Sequence, residues 1–360
     1  MIVFFTYDLA TGGTEKVVVY LANYLAKQRK EVTLLTVSNN NELSEIINPN
    51  IRLVSLDKNK IIGSIPSLIK YLRQEKVDCF IANVWPLTVI STLALMFKRK
   101  TNLILVEHCN LTEEFKGRSL IFKLLQSISI KFFYNLADNI ITVSKGVKKD
   151  LLAKGVKGQK VSVIYNPLEN PNKSSIDKRL IRINSWLSGE IKIISVGKLK
   201  KQKNFPNLIN AIDFLHNKLG VDSRVLILGE GPERENIEVL VEEKKLTNKV
   251  FLPGQVADPV SYIKESDLFV LPSDFEGFGL VIAEALSEGK TVVSTDCKSG
   301  PSEILKEGNL GYLCKVNDFE DLALTIKKAL DNPFDPKPLI RRSKDFSISN
   351  IGEQYKKIIG

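Results

Sequence analysis

The feature that most constrains the fold of this 360-residue chain is a repeated alternation of short apolar, β-branched runs with longer segments of helical periodicity. Residues 2–7 (IVFFTY) and 32–37 (VTLLTV) are such runs, and the segment 14–30 between them carries apolar residues at helical spacing. Parallel strands need a crossover connection, which is usually a helix. The alternation therefore predicts an α/β fold of doubly wound parallel sheets covered by helices.

The predicted strands form two sets, and the chain is long enough for two domains. The first set is 2–7, 32–37, 51–56, 79–84, 102–108, 139–144 and 161–166. The second set is 191–197, 224–230, 249–254, 267–272, 291–295 and 311–314. We predict two Rossmann-like domains facing a cleft. Their predicted boundaries are 1–168 for the first domain, 169–188 for a polar, proline-bearing linker, 189–343 for the second domain, and 344–360 for a C-terminal helix.

Composition excludes several classes of protein. Four cysteines show no CxxC and no paired metal spacing, which favours reduced thiols, and two histidines argue against a multi-histidine metal site. No apolar stretch approaches the about 18 residues that a membrane span needs. The opening MIVFFTY is short and has no basic leader, which favours a first buried strand over a signal peptide.

Charge is concentrated in the first half of the chain. Residues 1–170 carry 23 lysines and arginines against 14 aspartates and glutamates, a net charge of +9, and the remainder carries only +1. A cationic domain attracts phosphorylated substrates, anionic lipid or nucleic acid, although solubility alone is an alternative explanation. No nucleic-acid motif is present, so we predict no nucleic-acid partner.

Two carboxylates, Glu276 and Glu284, follow the predicted strand 267–272. Glu276 lies in a glycine-bearing loop, and Glu284 lies within the apolar helix that follows. Strand-loop-helix junctions at the carboxyl ends of parallel strands are where open α/β sheets bind ligands. Carboxylates accept hydrogen bonds from hydroxyls, and a helix N-terminus binds phosphate, so the pair favours a nucleotide sugar.

Three further sites stand at predicted strand ends. Lys198 and Lys203 follow the strand 191–197, where cations suit a diphosphate, although a solvated lysine run is the alternative. Gly12 and Gly13 form a strand-to-helix turn that lets backbone approach an anion, or is an ordinary tight turn. His108 ends the strand 102–108 and either faces a ligand or caps the strand.

The segment SDFEGFGLVIAEALSEGKTVVSTDCKSGPSEIL, with Glu276 and Glu284, resembles the glutamate-x7-glutamate signature of retaining glycosyltransferases of family 4, which have the GT-B fold. The openings GGTEKVVVYLANYLAKQRKEVTLLT and GKLKKQKN are also similar to that family, so the resemblance covers nearly the whole chain. The family usually has arginine at the position of Lys198. Lysine keeps the positive charge there but lacks the bidentate fork of arginine.

The resemblance implies a role for each residue. Glu284 is expected to bind the ribose hydroxyls and Glu276 the transferred sugar, with Lys203 and Lys198 on the diphosphate. His108 is expected to contact the donor sugar near its anomeric centre. The remaining implied contacts are the amides of Phe278, Gly279 and Leu280 on the diphosphate and sugar, the backbone near Val256 on the base, and Gly12 and Gly13 beside the diphosphate and acceptor, with Gly13 closest. The terminal helix is expected to pack on the first domain.

The implied activity is retaining transfer of a hexose or N-acetylhexosamine from a nucleotide-diphosphate sugar, with UDP preferred, by a same-face mechanism; Glu276 as a nucleophile is the alternative. The implied acceptor is a polyprenyl-diphosphate-linked oligosaccharide in O-antigen or capsule synthesis, at the inner face of the cytoplasmic membrane. No cofactor and no metal are expected, since the chain has no Asp-x-Asp. A GT-B-type sugar-nucleotide epimerase and a non-catalytic carbohydrate-binding protein are the alternatives.

Residues 115–137 mix basic and apolar residues at helical spacing. Ile121, Leu124, Leu125, Ile128, Phe132 and Leu136 share one predicted face, with Phe122 and Phe133 outside it. Core packing is the favoured interpretation of this face. The alternative is an element that binds an anionic membrane surface, which would account for the cationic first domain.

Overall fold

The computed structural model describes residues 1–96, 100–169, 181–188 and 190–360, with only the backbone described at 181–183. The chain divides into two compact units, Met1–Glu169 together with Phe346–Gly360, and Asn170–Asp345. Each unit has one parallel sheet with helices around it, so the predicted α/β class is confirmed.

The first unit holds a seven-stranded sheet, as far as the described residues show. Its strands are β1 (Ile2–Thr6), β2 (Val32–Thr36), β3 (Arg52–Ser55), β4 (Cys79–Asn83), β5 (Asn102–Glu107), β6 (Asn139–Thr142) and β7 (Val161–Val163). All are parallel, in the order β3-β2-β1-β4-β5-β6-β7. β1, β2 and β4 are buried at every residue, as expected for parallel strands covered on both faces.

The second unit repeats this strand order with six strands in its described part. The strands are β8 (Lys192–Val196), β9 (Arg224–Leu228), β10 (Val250–Gly254), β11 (Leu268–Leu271), β12 (Thr291–Thr295) and β13 (Tyr312–Cys314), arranged β10-β9-β8-β11-β12-β13. The helices are α1 (Gly13–Lys27), α2 (Ile65–Gln74), α3 (Leu87–Leu95), α4 (Leu111–Glu114), α5 (Leu120–Tyr134), α6 (Lys145–Ala153), α7 (Ile181–Leu187), α8 (Phe205–Asn217), α9 (Arg234–Glu243), α10 (Pro259–Glu265), α11 (Leu280–Ser287), α12 (Pro301–Ile304), α13 (Phe319–Asp331), α14 (Pro336–Ser343) and α15 (Ile348–Ile359).

Strand order reverses once in each sheet, and that point fixes where a ligand can approach. The chain steps outward from β1 to β3 and then returns to the other side of β1 with β4. In the second unit the same reversal falls between β8 and β11. Loops that leave neighbouring strands at such a point diverge, which creates a crevice at the carboxyl ends of the strands. Each predicted strand overlaps one of the observed strands.

The predicted linker over residues 169–188 differs from the structure at its C-terminal end. Residues 170–180 lie outside the described residues. Residues 181–187 form α7, and Trp186 is fully buried and donates a hydrogen bond from its indole nitrogen to the carbonyl of Ile193 at 3.1 Å. The sequence analysis missed this helix because its 7 residues are too few to show a helical period.

The C-terminal helix α15 belongs to the first unit. The hydroxyl of Tyr24 on α1 donates to Glu353 Oε1 on α15 at 2.6 Å. A Cβ on Gly352 would lie 2.3 Å from the Tyr24 ring, so glycine at this position allows the two helices to approach closely. The backbone of Leu168 adds two hydrogen bonds, to the carbonyl of Phe346 and from the amide of Ile348.

The core-packing interpretation of residues 115–137 is wrong for the predicted face. On α5 that face is turned to solvent, while Gln126, Ile130 and Tyr134 form the buried side. Phe122, which lies outside the predicted face, packs edge-on against Trp85 with ring centroids 5.8 Å apart. Among the described helices, none combines the length and the apolarity that crossing a bilayer requires.

Candidate active site

Two loops meet at the carboxyl ends of β8 and β11 in the second unit. The Gln202 side chain donates to the carbonyl of Phe275 at 2.8 Å, and the Asp274 amide donates to the carbonyl of Gln202 at 2.9 Å. Asn204 Nδ2 donates to Asp274 Oδ1 at 2.7 Å. Asn204 has a φ of +45° and caps α8, a combination that asparagine tolerates well. These bonds fix the lysine-bearing loop against the glutamate-bearing loop.

The result is a close pair between Lys203 and Glu276. Lys203 Nζ lies 2.5 Å from Glu276 Oε1, and Ser273 Oγ donates to the same oxygen at 2.7 Å. Glu276 is buried and Lys203 mostly so. The Lys203 stem passes over Gly197, where a Cβ would lie 3.3 Å from Lys203 Cε. A cation and a carboxylate held this way at a strand-order reversal can bind a phosphate and a hydroxyl side by side.

Two glycines allow close backbone contacts near the Lys203–Glu276 pair. A Cβ on Gly229, which follows β9 with φ +146°, would lie 2.0 Å from the Gly197 carbonyl oxygen. Gly300, with φ +98°, passes so close to Phe278 that a Cβ would lie 1.9 Å from its carbonyl oxygen. Phe278 is buried and precedes Gly279, the N-cap of α11. The position of the first amides of α11 therefore depends on Gly300.

We expect Gly300→Ala to destabilise the protein by about 2 kcal/mol more than Gly308→Ala, as for other close-packed sites. Both glycines have positive φ, but a Cβ on Gly308 would meet no atom closer than 3.8 Å, so Gly308→Ala measures the backbone strain alone. Urea unfolding of both variants gives the difference. Equal losses would show that the Gly300 contact relaxes freely.

The other predicted residues of the second unit lie on nearby loops and on α11. Leu280 is the first residue of α11, and Glu284 is half-buried one turn later on the same helix. Lys198 is exposed in the loop after β8, and its carbonyl accepts the Lys200 amide at 2.7 Å. Val256 follows β10 and is partly exposed.

His108 occupies the corresponding strand-end position in the first unit. It directly follows β5, and its Nε2 lies 3.0 Å from Asn83 Oδ1 at the end of β4. The Asn83 amide donates in turn to the carbonyl of Phe5 at 3.1 Å, which joins the three central strands. Nδ1 has no hydrogen-bond partner within the part of the chain that the structure describes. Burial lowers the pKa of His108 to about 4, so the ring is neutral and one nitrogen is free to accept a ligand hydroxyl.

Glu107, which sequence reasoning did not select as a site residue, is fully buried beside His108. Its Oε2 accepts the Tyr134 hydroxyl at 2.7 Å and the Trp85 amide at 3.3 Å, and its Oε1 accepts the His108 amide at 3.2 Å. Burial raises the pKa of Glu107 to about 7, although these hydrogen bonds act in the opposite direction. The available signal was a glutamate at the end of an otherwise apolar strand, since such a carboxyl needs several donors.

Gly12 and Gly13 lie where the first strand-to-helix turn was predicted. Gly12 is the N-cap of α1, and its amide donates to the carbonyl of Ala10 at 2.8 Å. A Cβ on Gly12 would collide with the Glu15 side chain, whereas nothing lies within 4 Å of a Cβ on Gly13. Gly13 is exposed and opens the helix, so the space in front of its amide is accessible. These two residues and His108 belong to the first unit, and the other predicted site residues to the second.

Comparison with known proteins assigns the class. Glycosyltransferase Family 4 matches residues 11–169, and Glycosyl transferases group 1 matches residues 177–346. A solved structure of Anabaena HepE with UDP and glucose superposes with a TM-score of 0.80 at 19% identity, covering 99% of this chain and 98% of that one. The fold and these matches define a glycosyltransferase of GT-B architecture.

Curated relatives narrow this further. A Campylobacter jejuni enzyme that adds N-acetylgalactosamine to a diacetylbacillosamine-containing diphospho-undecaprenol is 30% identical, over 91% of this chain and 89% of its own length. A second Campylobacter jejuni N-acetylgalactosaminyltransferase with an undecaprenol-diphosphate-linked acceptor is 27% identical over 99% of this chain and 97% of its own. The chain belongs to Glycosyltransferase Family 4 and is a transferase.

Proposed function

We propose that this glycosyltransferase moves a hexose or N-acetylhexosamine, with retention of configuration, from a UDP-sugar to a polyprenyl-diphosphate-linked oligosaccharide. The observation that carries the proposal is the buried Lys203–Glu276 pair between the loops after β8 and β11. The relatives' acceptors, as named for those proteins, support the lipid-linked choice. O-antigen or capsule synthesis at the inner face of the cytoplasmic membrane is the setting that this acceptor implies.

In the proposed donor complex, Lys203 and Lys198 bind the diphosphate together with the amides of Gly279 and Leu280. Amides at a helix N-terminus attract anions, and α11 begins at Leu280. We infer that the half-buried Glu284 accepts the ribose hydroxyls, one turn further along the same helix. The backbone near Val256 is the proposed contact for the base.

Glu276 of the second unit and His108 of the first unit are each proposed to offer an acceptor for a sugar hydroxyl. Within the described part of the chain, both side-chain hydrogen bonds of Glu276 reach Oε1, which leaves Oε2 for a sugar hydroxyl. His108 Nδ1 is a buried acceptor suited to a second hydroxyl. Gly12 and Gly13 are proposed to approach the diphosphate and the acceptor.

The proposed reaction breaks the bond between the anomeric carbon and the diphosphate oxygen. The acceptor hydroxyl bonds to the same face of the anomeric carbon, and its proton passes to the departing diphosphate. Negative charge grows on that diphosphate, and Lys203 stabilises it in a site with little water. In this proposal fixed cations and helix amides replace a metal ion, so transfer is expected to continue in the presence of EDTA.

Binding of UDP tests the nucleotide site. We expect UDP to raise the melting temperature more than ADP or GDP at the same concentration, because the proposed site binds UDP with the lowest Kd. A ligand at 100 times its Kd stabilises the folded state by about 2.7 kcal/mol. Glu284→Gln should weaken UDP binding at least about tenfold, one lost charge-assisted hydrogen bond. Glu276→Gln should leave UDP binding nearly unchanged and lower the affinity for the UDP-sugar.

Glu288→Gln, at the end of the same helix, is the matched control. A binding loss that is equal in all three variants would contradict the assigned roles. Product analysis with a polyprenyl-diphosphate acceptor then tests transfer, since an α-linked product is expected from an α-linked donor. A free epimerised nucleotide sugar would instead support the epimerase alternative.

A further inference from the structure

The outward face of α5 is the largest run of exposed apolar side chains on any described helix of this protein. Six of its residues have exposed fractions between 54% and 82%: Leu120, Ile121, Leu124, Leu125, Ile128 and Phe132. Positions 121, 124, 125, 128 and 132 repeat at helical spacing, so they form one continuous stripe. We call these six residues the α5 face.

Within the described residues of the first unit, more than half of each side chain on the α5 face is exposed. The helix is anchored from its other side, where Ile130 and Tyr134 are fully buried and the Trp85 indole donates to Ser129 Oγ at 3.3 Å. A helix that is apolar on both sides is normally covered on both sides. Large exposed apolar patches on soluble proteins mark sites of association with a partner or a membrane.

Charge around the α5 face indicates the chemistry of what covers it. Residues 115–137 contain four lysines and arginines and no aspartate or glutamate. The end of the helix adds Lys160, whose ammonium donates to the carbonyls of Asn135 and Ala137 at 3.0 and 2.7 Å. Lys157, exposed in the same loop, is tied to Asn135 through its backbone amide. The apolar stripe is therefore bordered by positive charge.

We propose that the α5 face docks on an anionic lipid bilayer, with the helix lying in the plane of the interface. Aliphatic and aromatic side chains would enter the boundary between headgroups and acyl chains, and the bordering cations would contact lipid phosphates. At 15 residues, about 22 Å, the helix suits this position. A second copy of the chain is disfavoured, since a two-fold contact through the α5 face would place like charges together.

This inference deepens the proposed function and rests on it in one respect, that the bilayer carries the lipid-linked acceptor. Binding of the surface to lipid does not depend on catalysis. The two ideas can therefore fail separately.

Co-sedimentation with vesicles tests the docking. We expect the full chain to bind mixed phosphatidylglycerol–phosphatidylcholine vesicles at low salt and to bind pure phosphatidylcholine much less. Leu124→Gln with Ile128→Gln should lower the partition coefficient at least about tenfold, because two apolar side chains no longer enter the bilayer. Lys123→Gln with Lys131→Gln should lower it too and should weaken its salt dependence.

Leu324→Gln with Val239→Gln is the matched control. These residues lie on α13 and α9 of the second unit, with exposed fractions of 53% and 49%, close to those of Leu124 and Ile128 at 61% and 54%. The control pair should bind vesicles like the unmodified protein. Equal binding by the Leu124/Ile128 variant and the Leu324/Val239 variant would overturn the proposal. An absence of vesicle binding at low salt would also overturn it. A dimer that the Leu124/Ile128 variant dissociates, without vesicle binding, would overturn it in favour of self-association.

Transfer to a short water-soluble acceptor separates the two hypotheses. The Leu124/Ile128 variant should keep full activity on that acceptor and lose activity only on vesicle-embedded acceptor. Full activity of that variant on both acceptors would overturn the docking surface and leave the proposed function intact. Vesicle binding by a protein that transfers to neither acceptor would support the surface and contradict the proposed function.

Discussion

Replacing Lys203 with methionine will lower the turnover number by about 10²- to 10³-fold, the usual effect of removing one group that stabilises charge in a transition state. Lys203 is the cation that the structure holds in place, 2.5 Å from Glu276 and packed over Gly197. Turnover is measured with the UDP-sugar and the lipid-linked acceptor. Lys200→Met, at an exposed position in the same loop, should retain activity.

A loss of folding could produce the same inactivity, and the pair itself supplies the control. Lys203→Met leaves the buried Glu276 carboxylate without its partner, which should lower the free energy of unfolding by about 3 kcal/mol. Adding Glu276→Gln removes that unpaired charge and should restore most of the stability while activity stays low. Recovery of both stability and turnover in the double variant would show that Lys203 serves the fold alone.

Stability of the Glu107→Gln variant, relative to the unmodified protein, will rise as pH increases from about 4.5 to about 7. Burial raises the pKa of Glu107 from 4.5 to about 7, so in this window the folded state holds a proton that the unfolded chain has released. That difference means that Glu107 by itself contributes a loss of stability as pH rises, about 1.4 kcal/mol per pH unit. Glu107→Gln removes this pH-dependent loss. The free energy of unfolding of the variant, relative to the unmodified protein, should therefore change by about 3 kcal/mol between pH 4.5 and 7.

His108 acts in the opposite sense and masks this effect in the unmodified protein. Burial lowers its pKa from 6.5 to about 4, so its contribution to stability is present above pH 6.5 and is lost as pH falls toward 4. The two slopes nearly cancel between pH 4.5 and 6.5. Urea unfolding at several pH values should therefore show a flat profile only where both residues are present.

Glu114→Gln makes the same substitution at an exposed carboxyl of the first unit and should leave the profile unchanged. A Glu107→Gln profile parallel to that of the unmodified protein would mean that Glu107 is ionised in the folded state throughout this window. The hydrogen bonds that Glu107 accepts from Tyr134, Trp85, His108 and the Cys109 thiol would then outweigh its burial.

The strands were predictable because each is a short apolar run bounded by turn residues, and burial on both faces of a parallel sheet demands such runs. Lys203 and Glu276 were predictable as residues because both follow strands, and parallel strands end at the same edge of a sheet. Their direct contact was not. It depends on hydrogen bonds between two loops, through Gln202 and Asn204, that no local pattern encodes.

Periodicity alone could not tell which side of α5 is buried. Both sides of the helix carry apolar residues. The side with Ile130 and Tyr134 is the buried one because α5 packs on α3 and the Tyr134 hydroxyl bonds to Thr88 and Glu107. Glu107 was overlooked for a related reason. A buried carboxyl is stable only with donors supplied by Trp85 and Tyr134, which are distant in sequence.

The amino-acid sequence by itself determined the two parallel sheets, the strand-end positions of the candidate site and, through its motifs, the family. These properties depend on local periodicity and on residue spacing, which are both present in the linear sequence. Only the tertiary structure decided that Lys203 pairs with Glu276, that His108 and Glu107 are buried side by side, and that an apolar stripe of α5 faces solvent. Burial and long-range hydrogen bonding arise when distant segments pack together, and they set which groups are charged and which surfaces remain open.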